Sequence, residues 1–123
     1  MAGVQKPKPK SKTALDAIDH VAISVDDIET AVRWYTQMFA CDVLYQDDTW
    51  AYLKFANILL ALVVPQQHRS HIALAIDDVE KHGPMKTHRD GTKSVYIKDP
   101  SGNAVELMDK NSMTKKHDPS VKA

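Results

Sequence analysis

The chain has 123 residues, with 16 lysines plus arginines against 16 aspartates plus glutamates and thus no formal net charge at pH 7. That balance excludes the basic field of a nucleic-acid binder, and no apolar run reaches the length of a membrane span. Apolar residues make up 43% and charged residues 26%, as in one soluble domain able to bury a core without disulfides or a structural metal.

Residues 1–13 open with an arm, in which Gln5 to Lys12 alternates lysine with proline and offers nothing to bury. The folded body is expected over residues 14–109. Ile18 to Val25 alternates as a strand does. Asp26 or Asp27 offers a helix N-cap, with Glu29 three residues after Asp26 as in a capping box. Ile28, Ala31, Val32, Tyr35, Met38 and Phe39 follow at helical spacing. Strands are expected at Val43 to Gln46, Trp50 to Phe55 and Ile58 to Val64, with polar turns between them. Residues 14–64 therefore read as a β-α-β-β-β module. Cys41 has no second cysteine to pair with, which fits a reducing compartment and a cytoplasmic protein.

Pro65 to Ser70 links to a second, smaller module over residues 70–109. Its strands are His71 to Ile76, Met85 to His88, Ser94 to Lys98 and Asn103 to Met108. Asp78 to Gly83 has room for little more than one helical turn, and Asp99-Pro100-Ser101-Gly102 is a turn. Residues 110–123 are polar and basic without a period and read as a disordered tail.

The two modules share a phrase. Asp19-His20-Val21-Ala22-Ile23-Ser24-Val25-Asp26-Asp27-Ile28-Glu29 recurs as Ser70-His71-Ile72-Ala73-Leu74-Ala75-Ile76-Asp77-Asp78-Val79-Glu80. A repeat of this kind means two copies of one supersecondary unit, each opening with a strand that begins on a histidine. The strand period of two separates the faces. His20, His71, Tyr96 and Glu106 fall on the faces of small or polar residues, which should line a hollow. The opposite faces are greasy and should pack on helix.

On these residues the chain resembles the vicinal oxygen chelate superfamily, which contains glyoxalase I, bleomycin- and fosfomycin-resistance proteins and extradiol ring-cleaving dioxygenases. The resemblance runs from Ile18 to Asp109. It implies an α+β fold in which two βαβββ modules form a cupped mixed sheet around a divalent metal. The ligands it implies are His20, His71 and Glu106. A fourth ligand of the glyoxalase I pattern would fall at Ala61, which cannot coordinate, and that enzyme's second, proton-moving carboxylate is also missing. Two imidazoles and one carboxylate suit Fe(II), Mn(II) or Zn(II) and leave coordination positions open.

His88, Val95-Tyr96, Asp99-Pro100, Gly102 and Glu106 resemble the segment that marks extradiol dioxygenases, with Lys86 departing where that group has a small or β-branched residue. That resemblance implies an Fe(II) dioxygenase of a catechol-like substrate. Tyr96 would hydrogen-bond a substrate oxygen, and His88 would stabilise charge developing on bound oxygen. His68, in the linker, is a weaker candidate for an acid. Two other functions fit the same residues. One is a Mn(II)- or Zn(II)-dependent lyase or transferase of the glyoxalase or fosfomycin-resistance kind. The other is a metal-free protein that sequesters a small molecule. The short second helix leaves Ile72, Leu74 and Ile76 poorly covered, so a homodimer is expected, with a small-molecule substrate and neither nucleic acid nor membrane as partner.

Overall fold

The computed structural model describes residues 15–88 and 91–113. The basic arm over residues 1–13 and the tail beyond residue 113 lie outside the described residues. The alternating run at the start forms β1 (Ala17–Ser24) and leads into α1 (Ile28–Met38). Three strands follow: β2 (Asp42–Gln46), β3 (Trp50–Lys54) and β4 (Leu59–Val63). The second half supplies β5 (His71–Ile76), β6 (Lys86–Thr87), β7 (Lys93–Lys98) and β8 (Ala104–Asp109). A 3₁₀ turn at Lys110–Ser112 carries the described fold slightly past Asp109, where Ser112 Oγ accepts from the Lys93 amide at 2.8 Å.

All eight strands join one sheet in the order β2-β3-β4-β1-β5-β8-β7-β6. Its left half is the first module and its right half the second. In each half the first strand runs parallel to the last, β1 with β4 and β5 with β8. The halves meet where β1 pairs antiparallel with β5. This is the expected α+β fold of two βαβββ units, with the second helix reduced.

Helix α1 starts at Asp27, whose carboxylate accepts from the Thr30 amide at 2.8 Å. The cap is therefore Asp27, and the Asp26–Glu29 capping box does not form. Glu29 instead pairs with Arg33 one turn on, at 3.2 Å. The buried side of the helix, Ile28 and Val32, packs on Ala51, Leu53 and Leu62, which makes the larger core.

The second module follows a different course after its strand. Asp78 sits in the left-handed region (φ 58°) and makes no side-chain cap, so only the 3₁₀ turn Val79–His82 forms. Gly83 and Pro84 then close it. Val79 is nonetheless fully buried and, with Ile76, Val95 and Leu107, makes a second core flanked by Leu74 and Met85. The expectation that Ile72, Leu74 and Ile76 all lack cover is thus corrected. Ile76 is buried, Leu74 is half-buried, and only Ile72 stays exposed, at 39%. One 3₁₀ turn plus Met85 does most of the covering of a full helix. No helix among the described residues is long and apolar enough to cross a membrane.

Candidate metal centre

The seam between the halves brings the predicted side chains together. His20 opens onto it from β1, His71 from β5 and Glu106 from β8, all three buried. Strand pairing explains the convergence. His71 lies opposite Ala104 and Ala73 opposite Glu106, so Glu106 shares the face of His71 one pleat along. The first module repeats this register, with His20 opposite Leu59 and Ala22 opposite Ala61. Ala61 therefore occupies the position equivalent to Glu106 and brings no donor.

Glu106 Oε1 lies 3.5 Å from His20 Nε2 and 3.3 Å from His71 Nε2. One donor atom from each of the three residues fits within a span of 4.8 Å. Donors at right angles around one cation, each about 2.1 Å from it, stand about 3.0 Å apart. The observed separations match a cluster that closes slightly onto an ion.

Hydrogen bonding assigns the protons. His71 Nδ1 sits 2.8 Å from the Arg69 carbonyl, which can only accept, so Nδ1 carries the hydrogen. His71 Nε2 then offers a lone pair, and it is buried without a hydrogen-bond partner. His20 Nδ1 likewise donates to the Asp19 carboxylate at 2.8 Å. The Nε2 atoms of both rings thus face the carboxylate of Glu106. Acceptors facing acceptors in a dry site repel unless a proton or a cation lies among them. This donor set fits a divalent metal.

Electrostatics agree. Burial works against charge on His20, yet hydrogen bonds to Asp19 and Glu106 outweigh it and push its pKa up to about 9. Burial also opposes ionisation of Glu106, but the imidazoles of His20, His71 and His88 hold its carboxyl far below the usual carboxylate range. In the metal-free protein His20 is therefore protonated at neutral pH, and a cation must displace that proton. Metal affinity should strengthen about tenfold per pH unit for that one proton and level off above about pH 9. The sign for the metal-free fold is opposite. A raised histidine pKa contributes stability below its unfolded value of 6.5 and loses it as pH rises through about 9. Titration calorimetry in buffers of differing ionisation heat would read the released proton.

Two further predicted residues flank the three. His88, at the end of the β6 segment, places Nε2 3.2 Å from Glu106 Oε2 and 2.6 Å from Ser94 Oγ. It contacts Oε2, while His20 and His71 face Oε1. Tyr96 lies directly across from Glu106 on β7 and meets the His71 ring edge-on at 5.4 Å. Burial and the negative charge of Glu106 push its phenol up, so it keeps its proton. Beside it opens a cleft of about 600 Å³ between the linker and β7, lined by His68, Arg69, Tyr96 and Lys98 among others. His68 stands 6.3 Å from the His71 ring, at this cleft.

Sequence reasoning missed Tyr52 and Asp19. Tyr52 places its hydroxyl 3.2 Å from His20 Nδ1 and pairs with Ala61, as Tyr96 pairs with Glu106. The signal was available, because Tyr52-Leu53-Lys54 repeats as Tyr96-Ile97-Lys98.

Fold and site together define a paired-module sheet protein with a candidate cation centre on its internal seam. Residues 17–107 match the family model of the Glyoxalase/Bleomycin resistance protein/Dioxygenase superfamily, and the chain belongs to that superfamily. It is 25% identical over 115 residues to the metallothiol transferase FosB of Staphylococcus epidermidis, covering 76% of this chain and 81% of that protein. The FosB of Lysinibacillus sphaericus is 28% identical over 116 residues, with 76% and 82% covered. Among solved structures, a superfamily member from Vibrio splendidus superposes with a TM-score of 0.59 at 13% identity, over 77% of this chain and 99% of that one.

Proposed function

We propose that this chain is a metal-dependent transferase that adds a small thiol to an epoxide-type electrophile whose oxygen is held at His20, His71 and Glu106. Sulfur bonds to carbon, the ring C–O bond breaks, and the freed oxygen takes up the thiol proton. The observation that carries the metal part is the convergence of two buried imidazole Nε2 atoms on one buried carboxylate, with His71 Nε2 left without a hydrogen-bond partner. The reaction class draws on the FosB relatives, which align with three quarters of the chain. A bound Mn(II) or Zn(II) would supply Lewis acidity and two or three open positions for substrate oxygens.

The chain's own residues fit that task. Tyr96, protonated and 41% exposed, stands between the centre and the cleft and can donate to a substrate oxygen. Arg69 and Lys98 line the cleft and favour an anionic substrate. His88 acts on Glu106, holding one carboxylate oxygen while the other faces the donors. That placement weighs against the dioxygenase reading, in which His88 serves bound oxygen directly. A catechol dioxygenase with Fe(II) is kept as the second reading because Tyr96 lies beside the centre, where such an enzyme needs a phenol.

The test is turnover by protein loaded with Mn(II), Zn(II) or, anaerobically, Fe(II). Loss of free thiol in the presence of fosfomycin and L-cysteine, dependent on added metal, is the expected result. Oxygen uptake with catechol by the Fe(II) form, without thiol loss, would replace this reading with the second. Tight capture of an apolar ligand by chelator-treated protein, with no turnover in either assay, would favour a sequestering role.

A further inference from the structure

β1 does not run straight into the site. Its pairing with β5 steps from Ile18 opposite Leu74 to His20 opposite Ala73, so Asp19 is an extra residue, a bulge. In an unbroken ladder Asp19 would lie opposite Ala73, and His20 would lie opposite Ile72, on the other face of the sheet from His71. The bulge turns His20 toward the seam. It also lets two adjacent residues be buried together, Asp19 at 5% and His20 at 4% exposure, with Asp19 Oδ2 2.8 Å from His20 Nδ1. Neighbours in a regular strand point to opposite faces and could not make this contact.

The second module handles the same place differently. Ser70 stands where Asp19 stands in the repeat, and its hydroxyl accepts from the Ser24 amide at 3.1 Å. His71 Nδ1 turns to the Arg69 carbonyl instead. The two ligand histidines, equivalent by sequence, thus have unlike partners: an anion behind one and a neutral carbonyl behind the other.

We infer that Asp19 is a positioning residue for the cation centre, fixing the His20 tautomer and adding a negative charge one imidazole away from the ion. The inference rests on the reading that His20, His71 and Glu106 hold a metal. Its physical content is simple. The bulge aims the ring, the Nδ1–H bond to a carboxylate locks the lone pair onto Nε2, and the anion makes that imidazole a better donor. With Asp19 and Glu106 both ionised, a dication is charge-balanced inside a buried site. His20 is then the stronger of the two nitrogen donors, and the centre is electrostatically lopsided although the fold is pseudo-symmetric.

Titrating chelator-treated full-length protein with Zn(II), and recording the absorption spectrum of its Co(II) form, tests this. Asp19→Asn keeps the shape and loses the charge; Asp19→Ala loses both. Each should bind Zn(II) about 10- to 100-fold more weakly than wild type and shift the Co(II) bands. Ser70→Ala, at the matching position of the other module, should leave affinity and spectrum unchanged. Melting of the metal-free forms checks folding, and should Asp19→Ala fail to fold, Asp19→Asn decides. Wild-type affinity and an unshifted Co(II) spectrum in Asp19→Asn would overturn the role. An equal loss in Ser70→Ala would also overturn it, since the effect would then be one of strand packing. Absence of Zn(II) uptake by wild type would remove the metal reading itself, and this role with it, before any variant is compared.

Discussion

Glu106→Ala should leave the protein with almost no bound divalent metal. Glu106 supplies the sole carboxylate of the three-donor cluster, and Ala61, the equivalent position in the other module, cannot substitute. Losing a partner behind a ligand costs about 10- to 100-fold in affinity, so losing a ligand should exceed the upper figure. Stability follows by linkage. Metal at about 100 times its dissociation constant adds about 2.7 kcal/mol to the wild-type fold. At about 4–8 °C per kcal/mol for a domain of this size class, that is about 10–20 °C in melting temperature. The variant should show neither increment. Elemental analysis of protein purified without chelator, paired with melting curves with and without Zn(II), reads both. Metal content equal to wild type would take Glu106 out of the centre.

Leu62→Ala is expected to have the largest effect on the fold, about 2–5 kcal/mol of lost stability. Leu62 is fully buried on β4 and packs with Leu53 against Ile28 and Val32 of α1. It lies opposite Ile23 on β1, three residues beyond His20. A cavity there loosens the one helix that covers the first module, and few side chains nearby can move in to fill it. Against a typical total of about 5–15 kcal/mol, that loss leaves a marginal protein. Chemical denaturation should show a lower midpoint with an unchanged slope. A midpoint within error of wild type would mean that α1 contributes little to holding the sheet.

Much of this was legible in the chain because two physical periods are written plainly. The duplicated phrase put His20 and His71 at equivalent strand positions, and the period of two put Tyr96 and Glu106 on the matching face. Gly83 so soon after Asp78 announced the shortened second helix. What escaped was local geometry that leaves no periodic trace. The bulge at Asp19 shifts the ladder by one residue, and nothing in the alternation of Ile18 to Val25 marks it; the faces came out right because they were counted from His20 onward. The choice of Asp27 over Asp26 as the cap stayed open, since two adjacent aspartates offer the same chemistry and backbone direction chooses. The contact of His88 with Glu106, made just past the two-residue strand β6, was not legible either, because no period links the two positions. The cover over Ile76 was underestimated, because a helix count misses what one valine and one methionine can shield.

The antiparallel meeting of β1 with β5 would give a bound ion a second office. Of the three donors, His20 comes from the first half of the chain and His71 and Glu106 from the second, so the full set forms only where the halves meet. An ion at that joint would be a rivet between two leaves already joined by the β1–β5 ladder and the Ser24–Ser70 hydrogen bond. Occupancy would then be felt as stiffness across the hinge line, and an empty protein would be one whose two leaves are freer to part.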